Sequence, residues 1–242
     1  MLVGSDGHFW PGAAPTAHKA FVRFIRDLKP KIVIANGDVF DGGSISRHPP
    51  IGWQTVPDVM DELHACQERM AEIENAAGKN CKLCWTRGNH DQRWNTRLAT
   101  TAPEFCRVHG FALEDHFSSR WDHAMAVFVN SDIVVKHRFK GGAHATFNNA
   151  LWSGKTVITG HLHSQRFSPI TDYGRTRWGV DTGCLAYIHG PQFAYTESNP
   201  SNWVSGFGVF TFHQKQLLPP ELCSVWSDER SEVVFRGKIM KI

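Results

Sequence analysis

The chain has 242 residues, of which 41% are hydrophobic and 20% charged, with no long polar or charged tract, so it is not a disordered polymer and is long enough for one large domain. A formal net charge of +3 falls short of the clustered positive charge of a protein that coats DNA, yet suits a phosphate-bearing partner. No run approaches the roughly 20 apolar residues that cross a bilayer, and MLVGSDGHFW lacks a basic segment followed by an apolar run, so no membrane association and a cytoplasmic setting are expected. The six cysteines are expected to be free thiols, and the 14 histidines supply an abundance of a common metal ligand.

Leu2-Val3-Gly4 is a short apolar run that stops at Ser5-Asp6, the pattern of a buried strand that delivers polar residues at its C-terminal end. From Thr16, placed to cap, Ala20, Phe21, Phe24, Ile25 and Leu28 recur at helical spacing and predict a helix over 16–28, ended by Lys29-Pro30. Residues 31–35 predict a second buried strand that runs into Asn36-Gly37-Asp38, and strand, helix, strand suggests a parallel βαβ unit. A long loop over 42–54 precedes a helix over 56–77 with Val59, Leu63, Met70 and Ile73 on its apolar face. Residues 81–86 predict a strand ending at Arg87-Gly88-Asn89-His90-Asp91, followed by short helices over 92–100 and 102–108. Strands follow over 124–129, 133–135 and 156–159, the last running into Gly160-His161-Leu162-His163, and the remainder alternates short β segments with turns such as Asp172-Tyr173-Gly174. With no repeat and no linker, residues 1–242 read as one domain, α/β first and then β-rich.

Five polar clusters directly follow these strands: Asp6-Gly7-His8, Gly37-Asp38-Val39-Phe40-Asp41, Gly88-Asn89-His90-Asp91, His137, and Gly160-His161-Leu162-His163. Ligands of open α/β sheets collect at the carboxyl ends of strands, so the clusters are placed to converge. Carboxylates, imidazoles and one side-chain amide form a mixed N/O donor set suited to Mn, Fe, Zn, Ni or Co. Seven candidate ligands are too many for one ion, whereas two ions sharing a bridging carboxylate, with Asp38 the natural bridge, account for them.

D-x-H, G-D-x-x-D, G-N-H-D, a lone His and G-H-x-H, in this order from Asp6 to His163, resemble the calcineurin-like metallophosphoesterase family. The resemblance implies a four-layer αββα sandwich that holds two divalent metal ions, manganese first among Mn, Fe, Zn and Ni. It implies that Asp6, His8 and His163 hold one metal and Asn89, His137 and His161 the other, with Asp38 between them. By the same resemblance His90 donates a proton to the leaving oxygen, Asp41 fixes its ring, and a hydroxide held between the metals attacks phosphorus. The implied activity is hydrolysis of a phosphate ester, in a compact enzyme of a bacterial or phage-infected cell. The strand before Asp6 is shorter than in such domains, which raises the expectation of a trimmed start and a weakened sheet edge.

Each remaining feature has a plainer reading beside the chemical one. His144 competes with His137, but only His137 has the strand-end position of the other clusters; His18, His48, His64 and His123 read as structural. Cys81 and Cys84 lie in a strand without a second pair at zinc-site spacing and read as core. Asp91 reads as a cap of the helix that follows it. Arg87, Arg93, Arg97, Arg138, Arg166, Arg175 and Arg177 lie near the site loops as candidate phosphate clamps. Trp10, Trp53, Trp94 and Trp178 lie beside loops that leave the catalytic strands, which favours a phosphodiester of nucleotide or nucleic-acid type, including a nuclease. The alternatives are a phosphomonoesterase and a partner-binding protein on the same scaffold, against which the retention of His90 counts.

Overall fold

The computed structural model describes residues 1–48 and 51–242, so the loop expected over 42–54 includes two positions, 49 and 50, that lie outside the described residues. The first three apolar runs form β1 (Leu2–Gly4), β2 (Ile32–Asn36) and β3 (Lys82–Thr86), paired in parallel in that order. Helices α1 (Thr16–Leu28) and α2 (Val59–Ala77) connect them as two successive βαβ units. Thr16 does not cap α1: Pro15 holds the cap position, with no side-chain cap bond, and Thr16 is the first helical residue. Lys29 ends the helix in a left-handed conformation, its N–H donating to Ile25 O, and Pro30 prevents continuation. Helix α2 starts three residues later than the apolar pattern suggests because Asp58 caps it, accepting from the Asp61 N–H at 2.8 Å.

After α3 (Asp91–Thr101) the helix expected over 102–108 is only a 3-10 turn, Pro103–Phe105. The single strand expected over 124–129 is two. Strand β4 (Trp121–Ala124) pairs with β3, while β5 (Val127–Asn130) pairs with β6 (Ile133–Val135), so the chain changes sheets at residues 125 and 126. Helix α4 (Ala145–Ser153), absent from the sequence reading, then leads to β7 (Thr156–Thr159), β8 (Arg166–Thr171) and β9 (Thr176–Asp181). These complete a second sheet of order β5-β6-β7-β9-β8. Its outer face is covered by α4, whose Thr146 backbone sits so close above Gly179 that any side-chain carbon there would overlap it.

Residues 206–242 supply β10 (Gly206–Val209), the small hairpin of β11 (Phe212–His213) and β12 (Gln216–Leu217), then β13 (Glu221–Ser227), β14 (Glu232–Phe235) and β15 (Lys238–Lys241). The first sheet therefore has the order β15-β14-β13-β10-β1-β2-β3-β4. Strand β1 is interior rather than a weakened edge, because β10 returns antiparallel along its other side.

Period-two alternation divides the first sheet's side chains between two cores. Leu2, Val33, Ala35, Leu83 and Trp85 face α1 and α2, where they meet Phe21, Ile25, Leu63 and Ile73. Val3, Ile34 and Cys84 point the other way, onto Ile133, Val135, Ile158 and Val180 of the second sheet. The layers are helix, sheet, sheet, helix: the four-layer sandwich expected. Full burial of each large apolar side chain contributes roughly 1.5–3 kcal/mol before conformational entropy is counted. Cys81 and Cys84 are buried free thiols, one in each core, as expected of structural residues. Among the described residues no helix is long and apolar enough to cross a membrane.

Candidate metal centre

The C-terminal ends of β1, β2 and β3 in the first sheet and of β6 and β7 in the second open on the same end of the sandwich, and all five polar clusters meet there. Asp6, His8 and His163 bring one ligand atom each within 4.8 Å of one another, as do Asp38, His137 and His161. Asp38 joins the two groups: its Oδ2 lies 3.1 Å from His137 Nε2 and 3.9 Å from His8 Nε2. Asn89 stands between Gly88 and His90, both of which touch Asp38, and its buried Oδ1 has no hydrogen-bond partner.

The backbone is bent to aim these groups inward. Asp6, His8, Asp38, His161 and His163 all have positive φ, between 38° and 72°. Such left-handed conformations in non-glycine residues cost on the order of 1–3 kcal/mol each and persist where the surroundings impose them. The neighbouring glycines serve two different needs. Gly37 turns sharply, at φ 78°, whereas Gly88 and Gly160 are required by closeness, since a side-chain carbon would run into the carboxylates of Asp38 and Asp6 respectively.

Second contacts fix the imidazole tautomers. His137 Nδ1–H donates to Asn36 O at 2.9 Å, and His8 Nδ1–H donates to Asp41 Oδ1 at 2.8 Å, so in each ring Nε2 is left facing the cluster. Both Nε2 atoms are buried without a hydrogen-bond partner. Orphaned donor atoms of the right type, aimed at buried carboxylates, fit divalent cations. The electrostatics agree. Burial opposes ionisation of Asp38, yet the adjacent His137, His90 and His8 rings hold its carboxyl far below the usual range. Burial likewise opposes charge on His137, yet Asp38 and Asp6 raise it to about 10, so this pocket favours positive charge. Burial keeps His8 and His161 below the ordinary imidazole value.

At the rim, His90 Nδ1–H donates to Asp41 Oδ1 at 2.9 Å and its Nε2 faces Arg93, 3.2 Å away. Arg93 also donates to Asp41 O at 2.8 Å. Of the seven arginines considered from sequence, this one stands beside His90, as expected one helical turn further along; Arg87, Arg175 and Arg177 are paired with Glu114, Asp132 and Asp172. A cleft of about 420 Å³ opens here, lined by Asp41, His90, Arg93, Trp10 and Tyr195. Beyond His163, whose ring centroid is 4.6 Å from that of Trp203, a second cleft of about 490 Å³ is lined by Trp203, Arg166, Ser164 and, again, Tyr195. Of the tryptophans singled out, Trp10 reaches a cleft, Trp53 is fully exposed, and Trp94 and Trp178 pack on Phe40 and Phe167. His144 is exposed at the start of α4 and takes no part, while His137 is buried in the cluster.

Two residues have more to do than the sequence reading allowed. Asp91 is not a cap of α3: its carboxylate accepts the N–H groups of Asp38, Val39, Phe40 and Gly88 at 2.8–3.0 Å and the indole N–H of Trp85 at 3.2 Å, tying the β2 and β3 loops together. Glu62 Oε1 accepts the N–H groups of Asp41 and Gly42, both at 2.6 Å. Its one signal in the sequence is a charge on the buried face of α2, between Val59 and Cys66.

Among curated proteins the chain resembles the Gene 54 protein of Mycobacterium phage L5, with 26% identity over 86% of this chain and 86% of that protein. It also resembles the Gene 54 protein of Mycobacterium phage D29, with 27% identity over 83% and 84%. Among solved structures, Vps29 of Chaetomium thermophilum aligns over 100% of this chain and 95% of its own at 11% identity, with a TM-score of 0.46. The profile of calcineurin-like phosphoesterases matches residues 2–190, a span that contains all five strand-end clusters. Matched over more than three quarters of its length, the chain belongs to the calcineurin-like phosphoesterase family, which makes it a hydrolase of phosphoesters with Asp and His clusters able to hold divalent metals.

Proposed function

We propose that the chain is a dinuclear metal-dependent phosphodiesterase acting on a nucleotide or nucleic-acid substrate. The observation that carries this reading is the meeting of Asp6, His8, Asp38, Asn89, His137, His161 and His163, with the facing nitrogens of His8 and His137 and the Asn89 oxygen left without partners. Asp6, His8 and His163 would hold one ion and Asn89, His137 and His161 the other, with Asp38 within reach of both groups; manganese is the first choice, with Fe, Zn and Ni suited to the same donors. When bound, two such ions neutralise the phosphate and acidify water.

The chain's own groups do the rest. Asp41 orients His90 through Nδ1, so Nε2 can hand a proton to the leaving oxygen. Although burial works against it, the hydrogen bond from Asp41 and the Asp38 charge raise the His90 pKa, favouring the protonated form needed for that step. Arg93 covers His90 Nε2 and is placed to turn onto an entering phosphate oxygen. Two adjoining clefts, one lined by Asp41 and His90 and the other by Ser164 and Trp203, support a diester, which carries two groups on phosphorus, over a monoester, which carries one. Strands β13–β15 extend the sheet that carries Asp6 and Asp38, which supports one domain over 1–242. The mycobacteriophage relatives favour a phage-infected bacterial cell as the setting.

The test is hydrolysis of bis(p-nitrophenyl) phosphate and p-nitrophenyl phosphate by chelator-stripped protein with Mn, Ni, Zn, Mg or nothing restored. Metal-restored cleavage that favours the diester is expected. Preference for the monoester would make it a phosphatase, and no turnover with any metal would leave a partner-binding protein.

A further inference from the structure

The chain's small positive excess is not evenly spread. From residue 133 to residue 171 there is no Asp or Glu, but there are Lys136, Arg138, Lys140, Lys155 and Arg166, so the remaining residues carry more acids than bases. This acid-free segment contains three of the histidines of the metal centre, and the loop after β6 passes directly from His137 to exposed Arg138, Phe139 and Lys140. The Lys136 ammonium lies 4.9 Å from the Phe139 ring centroid, and Lys140 lies 4.8 Å from that of Trp152 on α4. Trp152 is 70% exposed, and Phe147 and Leu151 on the same helix are also exposed. Gly142 and Ala143 of this loop line the cleft that holds Arg166 and Trp203 beside His163.

We infer that the β6–α4 loop and the outer face of α4 form a binding platform for single-stranded nucleic acid, leading a strand through the Arg166–Trp203 cleft to the metal centre. This rests on the phosphodiesterase reading for its direction and names the substrate class as a polynucleotide strand. Alternating cations and exposed aromatic rings match the alternation of phosphates and bases along a strand: cations neutralise the backbone, and rings stack on any base without reading its identity. Absence of acids over 39 consecutive residues removes the repulsion that a polyanion would otherwise meet. A duplex hides its base faces and would leave Phe139 and Trp152 unused, so the exposed rings favour a single strand. Lysines resting on the rings of the free protein keep those faces available, because a cation–π contact at an exposed site is weak enough to be exchanged for a base.

Fluorescence anisotropy of a labelled 20-residue oligothymidylate with the full chain, manganese-loaded and chelator-treated, over a range of salt concentrations tests this. Expected are binding that weakens with salt, a roughly tenfold loss in Trp152→Ala, and in Lys140→Gln a salt slope smaller by about 0.7, the share of one phosphate on a single strand. Both side chains are exposed, and an unchanged melting temperature will show that the variants fold. Equal affinity of wild type and both variants, no binding at low salt, or tighter binding of a duplex of equal length would overturn the platform. Small-diester hydrolysis without oligonucleotide binding overturns the platform alone; oligonucleotide binding that depends on Trp152, without hydrolysis of any ester, supports the platform and overturns the phosphodiesterase reading.

Discussion

His8 and His90 share one oxygen: Asp41 Oδ1 accepts from Nδ1–H of His8 at 2.8 Å and from Nδ1–H of His90 at 2.9 Å. The ring proposed to hold a metal and the ring proposed to protonate the leaving group are thus oriented by the same atom. Their losses should differ accordingly. His90→Gln is expected to lower kcat by about 10²–10⁴ and leave bound metal unchanged. Asp41→Asn is expected to lower kcat and also to weaken metal retention by about tenfold or more, since it disturbs a ligand's support. Metal content by elemental analysis alongside kcat separates the two, and full metal with full turnover in Asp41→Asn would break the link.

Gly88 and Gly160 test how tightly the chain packs around the carboxylates. A methyl group at either position would run into Asp38 or Asp6, so Gly88→Ala and Gly160→Ala should each weaken metal binding by at least tenfold. Gly12, where a side-chain carbon would meet nothing within 4 Å, is the control that should bind metal normally as Gly12→Ala despite a strained φ of 120°. Equilibrium dialysis against manganese gives the comparison.

Asp91 accepts five hydrogen bonds and none of its partners can accept one in return. Asp91→Asn places an amide donor against buried N–H groups, and unsatisfied buried polar groups cost about 1–3 kcal/mol each. A loss of about 3 kcal/mol or more is expected in urea unfolding, read as a lower midpoint at unchanged slope. A change below 1 kcal/mol would contradict the role given to this carboxylate.

Burial pushes the Glu62 carboxyl up to about 7, against the pull of the Asp41 and Gly42 N–H groups. Because the folded value lies above the unfolded one, the stability this group contributes is full below about 4.5 and lost as pH rises through about 7, by up to roughly 3 kcal/mol. Glu62→Gln keeps an accepting oxygen and removes the ionisation. Its stability relative to wild type should therefore rise between pH 5 and pH 8, as followed by thermal melts; a constant difference would show that Glu62 is charged throughout.

The cluster of candidate metal ligands was legible because its chemistry is written in short strings at strand ends, and strands such as Ile32–Asn36 and Thr156–Thr159 are apolar enough to be seen without help from context. Helix α4 was missed because ATFNNALWS mixes β-branched, aromatic and amide residues of modest helix propensity, and packing of Thr146 over Gly179 is what holds it. The break between β4 and β5 was missed because both flanks are strand-like and only the change of sheet separates them. Asp91 and Glu62 were undervalued because most of their partners are backbone N–H groups 20 to 53 positions away, which no local spacing announces.

The most direct measurement is the anomalous scattering of manganese in crystals of the metal-loaded protein. Two peaks about 3.5–4 Å apart, with the Asp38 carboxylate between them, are predicted. A single peak, or two that Asp38 does not share, would contradict the dinuclear centre.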